Sequence, residues 1–180
     1  MNGVLHALRC MGFTGTNRVA TATGLSESAV ESELIDLAVA GLVTHTPGVF
    51  GGWGLTEAGR TADAEHLASE VDGVRDAVDK CYDDFLVLNP ELLDICAAWQ
   101  TKPGGVALSV LADFHTRADA VLADLSVALP RFGRYRERLA TALGRASAGE
   151  TEYVTNDVES YHAVWFQLHE DLLATLGIPR

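Results

Sequence analysis

The chain has 180 residues, enough for one or two small domains, and 48% of them are hydrophobic, enough for a core. Its net charge is −12, from 13 Lys or Arg against 25 Asp or Glu, so it is repelled by anionic membranes and by nucleic acid at large. No apolar stretch approaches the roughly 20 residues that span a bilayer, and no basic run leads into a long apolar one at the start. A cytoplasmic protein without a membrane partner is expected.

In chain order, residues 2–12 bring Val4, Leu5, Leu8 and Met11 to helical spacing, and Gly12 to Asn17 form a turn. Val19 and Ala20 pack a short second helix, and Gly24 permits the turn after it. Ser26 is placed to cap a third helix, in which Val30, Leu34, Leu37 and Val39 or Ala40 recur on one buried face until Gly41 ends it. Leu42 to Thr46 form a strand, Pro47 to Gly52 a turn, and Trp53 to Leu55 the returning strand. Together these read as a helix-turn-helix followed by a two-stranded wing.

Thr56 then caps a long connecting helix from Glu57 toward Tyr82. Asn89-Pro90 starts a further helix to Gln100, since Pro is tolerated at a first helical position. Thr101 to Gly105 form a loop, and Val106 to Leu129 another helix. Pro130 breaks that helix and opens the next, Arg131 to Ala146. After Ala148-Gly149 a last helix runs from about Thr155 to Leu176. The expected fold is mainly α. A winged helix of three helices and a two-stranded wing (residues 1–60) is joined by a long helix to an all-α domain (residues 61–180) for dimerisation and possible ligand sensing.

The segments Val19 to Leu25, Ser26 to Val43 and Leu55-Thr56-Glu57-Ala58-Gly59-Arg60 resemble bacterial, actinobacterial-type winged helix-turn-helix transcriptional regulators of the MarR and PadR kind. The resemblance covers about a third of the chain. It implies a dimer on a double-stranded DNA operator, read by the helix from Glu27 to Ala40 in the major groove. On the matching positions the contacts are Arg18, Ser26, Glu27, Ser28, Glu31, Ser32 and Arg60, with His45 and Thr46 on the wing. The chain departs from the family where Lys or Arg is usual. Residues 1–60 hold Arg9, Arg18 and Arg60 against Glu27, Glu31, Glu33, Asp36 and Glu57, a net of −2. Phosphate affinity comes largely from Lys and Arg, so the shape points to DNA and the charge away from it.

The second half has two groups that a small-molecule effector would use. His162, Trp165, Phe166 and His169 follow steps of three and four and share a helix face, as a pocket wall or as a core or dimer face. Arg131, Arg134, Arg136, Arg138 and Arg145 are interleaved with Phe132 and Tyr135. Arg134, Tyr135 and Arg138 are candidates for an anionic ligand, the alternative being a solvated face balanced by acidic neighbours. Trp99 is a further pocket candidate.

No metal or cofactor is expected. His162 and His169 lie about 10 Å apart along a helix, too far for one ion, and His115 with Asp113 or Asp119 shows no ligand spacing. There is no H-E-x-x-H motif, no cysteine pair, no nucleophile elbow and no phosphate loop, so no catalytic residue is identified. Cys10, Cys81 and Cys96 read as reduced, buried thiols. A redox sensor would need a low-pKa thiolate, and Asp79, Asp83 and Asp84 crowd Cys81. The expected function is a dimeric DNA-binding regulator, with a small-molecule effector as an optional input, that is not an enzyme. The alternative is a winged helix that binds a small molecule or a protein instead of DNA.

Overall fold

The structure, a computed structural model, describes residues 3–101 and 108–179. It is mainly helical, with one two-stranded antiparallel sheet among the described residues. Contacts divide the chain into two compact units, Met1–Asp72 with Glu170–Arg180, and Gly73–His169. The sequence pattern predicts a single boundary after residue 60, whereas the contacts place one after Asp72 and return the chain to the first unit at Glu170.

The first unit begins with α1 (Gly3–Met11), α2 (Thr16–Thr23) and α3 (Glu27–Val39), then β1 (Val43–Thr46), β2 (Gly52–Leu55) and α4 (Glu57–Glu70). Val4, Leu5 and Leu8 of α1 meet Val19 of α2, Val30, Leu34 and Leu37 of α3, and Val43 and Trp53 of the hairpin in one core. Gly24 closes α2 in the left-handed region (φ 75°), its N–H on the Ala20 carbonyl. The Ser26 hydroxyl then caps α3 by accepting from the Ala29 N–H at 3.3 Å.

The hairpin pairs Val43 with Leu55 and His45 with Trp53. Thr14, expected in a plain turn, also bridges β2. Its N–H donates to the Trp53 carbonyl at 3.0 Å, and the Trp53 N–H donates back at 2.8 Å.

The segment Leu55 to Arg60 has a mechanical role. Thr56 Oγ1 accepts from the Gly59 N–H at 3.0 Å, capping α4, and donates to the Gly41 carbonyl at 2.8 Å, tying that cap to the end of α3. A Cβ on Gly59 would stand 2.0 Å from the Leu42 carbonyl oxygen. Only glycine lets the first turn of α4 lie that close to the strand entry.

The second unit holds α5 (Arg75–Thr101), α6 (Leu108–Ala128), a 3-10 turn (Pro130–Phe132), α7 (Gly133–Ser147), α8 (Glu152–Thr155) and the larger part of α9 (Tyr161–Leu176). Three helix boundaries correct the sequence reading. The helix from Glu57 does not run to Tyr82; it stops at Glu70, and Gly73, at φ 79°, turns the chain before α5. Asn89-Pro90 does not start a helix, because α5 passes through Pro90 unbroken. Leu86 and Pro90 are both exposed, so water can take the carbonyl that the missing Pro90 N–H leaves free.

The last helix does not begin at Thr155. Residues 156–160 intervene, with Glu159 N–H on Asp157 Oδ1 at 2.7 Å, and Ser160 Oγ accepts from the Ala163 N–H at the start of α9. The loop from Lys102 to Gly105 and the helix start at Val106 lie outside the described residues, while Thr101 ends α5. No helix among the described residues is long and apolar enough to cross a membrane.

Candidate nucleic-acid interface

The face of α3 opposite Val30, Leu34 and Leu37 is open to solvent. Ser26, Glu27, Ser28, Glu31 and Ser32 are all exposed. Ser26 is partly committed to its cap and lies 3.2 Å from the Ser28 hydroxyl. Farther along, Ile35 is exposed, and so are Val39 and Ala40, neither of which continues the buried face as expected, because the buried positions of α3 end at Leu37. The surface is therefore acidic at its start and apolar toward its end.

Arg18, in the first turn of α2, is half-buried. Its Nε is shut off from solvent with no hydrogen-bond partner, and the side chain makes no ion pair among the described residues. Arg60 is exposed and sits 3.9 Å from Glu57, a loose pair one turn away. On the hairpin His45 and Thr46 are exposed, and the His45 ring lies against Trp53 at 4.5 Å between centroids. The tip carries no cation. Instead it presents Val49 and Phe50, 98% and 95% exposed.

The residues proposed for a small-molecule effector fall in three separate places of the second unit. His162, Trp165, Phe166 and His169 do line one cleft, of about 240 Å³, with Asn89 and Leu93. Within it Trp165 is buried, stacks on Phe85 at 4.7 Å and donates its indole N–H to Asn89 Oδ1 at 2.9 Å. His169 packs on the same Phe85 at 5.0 Å. Half of that helix face is thus core and half is cleft wall.

Arg134 and Arg138 line a second groove with Glu137, Tyr153 and Glu159, and both are engaged. Arg134 pairs with Glu137, and Arg138 donates to Glu159 and to Gln167 Oε1, each at 2.8 Å. Tyr135 is buried, its hydroxyl donating to the Gln167 carbonyl at 3.4 Å. Trp99 is buried beside a third hollow, lined by Gln100, Thr151, Glu152 and Asn156.

The densest polar constellation is one that the sequence reading did not assemble. His6 of α1 is buried in the first unit between two carboxylates. Its Nδ1 stands 3.2 Å from both oxygens of Asp63 in α4, and its Nε2 stands 3.1 Å from Asp171 Oδ1 in α9. Cys10 Sγ, one turn along α1, is 3.4 Å from the same Nε2. Thr175 donates its hydroxyl to Asp171 Oδ1 at 3.0 Å.

Burial pushes the His6 imidazolium down. The charges of Asp171 and Cys10 and the hydrogen bonds to Asp171 and Asp63 outweigh that and hold its pKa well above the ordinary value. One signal was present in the sequence: His6 and Cys10, Asp63, and Asp171 each occupy positions where the helical period calls for an apolar side chain.

The other thiols are quiet. Burial first, then Asp124, raises the Cys81 thiol, and burial alone takes Cys96 up to about 11. Of the three carboxylates expected to crowd Cys81, Asp84 acts on it. Comparison with protein-family models, curated proteins and solved structures returns no match, so the reading of these sites rests on their own geometry.

Proposed function

We propose that the first unit carries a winged helix that binds double-stranded DNA, as one half of a homodimer on a pseudo-palindromic operator. In this reading α3 enters the major groove through Ser26, Glu27, Ser28, Glu31 and Ser32. The hairpin flanks it with His45 and Thr46, and Arg18 and Arg60 meet phosphate. The observation that carries the reading is Arg18. The side chain is half-buried and makes no ion pair among the described residues, so its charge is left for an oxyanion from outside to meet, one short helix before an exposed helix face. Hydroxyl contacts and the avidity of two half-sites compensate for the scarcity of cations. In this reading the chain is a regulator, not an enzyme, and the cleft at His162 and Phe166 is where a small effector would act.

Fluorescence anisotropy with DNA from upstream of the chain's own gene tests this. A specific complex is expected at low salt, and Arg18→Ala is expected to flatten log K against log salt by about one unit. Absence of a specific complex at low salt ends the reading.

A second reading is favoured by one observation, the nearly full exposure of Val49 and Phe50 on a hairpin tip without cations. An acidic helix beside an apolar tip fits a protein partner. Binding would then resist salt and be lost in Phe50→Ser.

A further inference from the structure

We propose that His6, Cys10 and Asp171 form a binding site for a divalent first-row transition ion, zinc foremost, inside the first unit. The proposal goes beyond the DNA reading and does not depend on it.

Three different donor types converge there from two helices distant in sequence. His6 Nε2, Cys10 Sγ and a carboxylate oxygen of Asp171 all lie within 4.8 Å of one another, and all three residues are buried. Zinc bond lengths and a tetrahedral angle put two such ligands about 3.3 Å apart for nitrogen and oxygen, and about 3.6 Å apart for nitrogen and sulfur. The separations are 3.1 Å from His6 Nε2 to Asp171 Oδ1 and 3.4 Å from the same nitrogen to Cys10 Sγ. Two edges of a tetrahedral face are therefore close to ligand spacing, the third, from Cys10 to Asp171, is within 4.8 Å, and the fourth position is left for water or another small ligand.

The surrounding contacts fit the same chemistry. Asp63 faces Nδ1 with both oxygens, so it takes that N–H and turns the Nε2 lone pair toward Cys10 and Asp171. A carboxylate behind a histidine in this way fixes the ring and raises its basicity as a ligand. Thr175 does the equivalent for Asp171. A proton on Nε2 can point at one acceptor, or divide itself poorly between two. An ion at that point reaches all three donors. The balance is simple: one divalent ion enters, one proton leaves His6 Nε2 and one leaves Cys10 Sγ. With both carboxylates ionised, the cluster keeps its net charge.

The donor set selects the ion class. A thiolate, an imidazole and one carboxylate suit zinc, and exclude magnesium and calcium, which want oxygen ligands.

The full chain, stripped of metal by a chelator, is titrated with cobalt(II) alone as a spectroscopic stand-in for zinc. One equivalent is expected to give the absorption of a thiolate-bound ion with four-coordinate intensity, one equivalent of zinc to erase it, and zinc alone to raise Tm. Cys10→Ser is expected to remove the thiolate band, and Cys81→Ser and Cys96→Ser to keep it. Asp63→Asn is expected to weaken binding about 10–100-fold while the band keeps its shape.

Cys10→Ser exchanges a single atom, so circular dichroism is expected to find it folded even if the His6 or Asp171 variants do not fold. A folded wild-type chain that takes up neither ion at micromolar concentration overturns the proposal. So does a thiolate band that survives Cys10→Ser or follows Cys81 or Cys96. Since no DNA is present, failure here leaves the DNA reading standing, and failure there leaves this one.

Discussion

In residues 73–169 every described Lys and Arg has a partner. Arg75, Lys80, Arg117, Arg134, Arg136, Arg138 and Arg145 each pair with a carboxylate, and Arg131 lies over the Phe132 ring at 4.3 Å. In residues 3–72 one arginine has a carboxylate partner among the described residues, Arg60 in a loose pair with Glu57 at 3.9 Å. Arg9 and Arg18 make no ion pair among the described residues, and the charged groups meet instead in the interior, around His6. The helical unit is neutralised locally at its surface and packs an apolar, aromatic core. The first unit leaves cations at its surface and closes a cation between carboxylates inside.

The sharpest way to break this contrast is His6→Leu. It leaves Asp63 and Asp171 facing each other in the interior with no cation between them. Removing one partner of a buried charged network costs about 4 kcal/mol, read as a fall in urea midpoint. Replacing His6, Asp63 and Asp171 together with leucine is expected to recover most of that loss, since a packed apolar substitute for a buried ion network is often neutral. If the single variant unfolds like wild type, the cluster is not the interior tie described here. The matching deletion in the helical unit, Arg117→Ala, opens an exposed pair with Glu91 and is expected to leave the midpoint where it was.

Gly59→Ala probes the other feature that holds the first unit, its close backbone seat. The added methyl would meet the Leu42 carbonyl oxygen at 2.0 Å, so α4 must move or its cap on Thr56 must open. A loss of about 3 kcal/mol is expected, at the upper end for overpacking. Gly144→Ala, in open space on α7, is expected to be neutral or slightly stabilising. Equal stability of the two variants would show that α4 does not depend on that seat.

The first unit was more legible than the second, for reasons that these residues make plain. Ser26, Gly24, Gly41 and Thr56 are local signals, and each acts within a few residues of itself. The apolar period then needed only short connections to form a core. From Glu70 onward the same rules misplaced three boundaries. Pro90 reads as a helix start because its ring forbids a hydrogen bond. On the solvent side of a long helix that bond is dispensable. Gly73 and the run Asn156-Asp157 to Ser160 were visible turn signals, overridden by apolar periodicity on either side.

The candidate sites followed the same division. Neighbours on one helix, such as His162, Trp165, Phe166 and His169, came out together. Trp99, Arg138 and Trp165 did not, since they lie on different helices. The His6 cluster was out of reach, because residues 6, 63 and 171 meet only through tertiary packing. A polar residue at an apolar position announces that it has a partner without naming it.

The smallest expected effect separates the two interiors by pH. His115 shares a hydrogen bond with the Tyr161 hydroxyl at 3.0 Å, with Asp119 and Arg136 beside it. Burial lowers its pKa below the ordinary value, Asp119 works against that, and Arg136 adds to it. A histidine with a depressed folded pKa binds its proton more readily when unfolded. Its contribution to stability is complete above about pH 6.5 and is lost as pH falls through the folded value. Urea midpoints of wild type and His115→Gln, compared from pH 7.5 to pH 5, are expected to converge as pH falls. Taking the difference between the two proteins cancels the titrating groups that do not face His115, the carboxylates of the first unit included, and leaves His115 with its neighbour Asp119. A gap that widens toward acid would mean that His115 carries its proton in the fold, and that the helical unit also holds a buried cation.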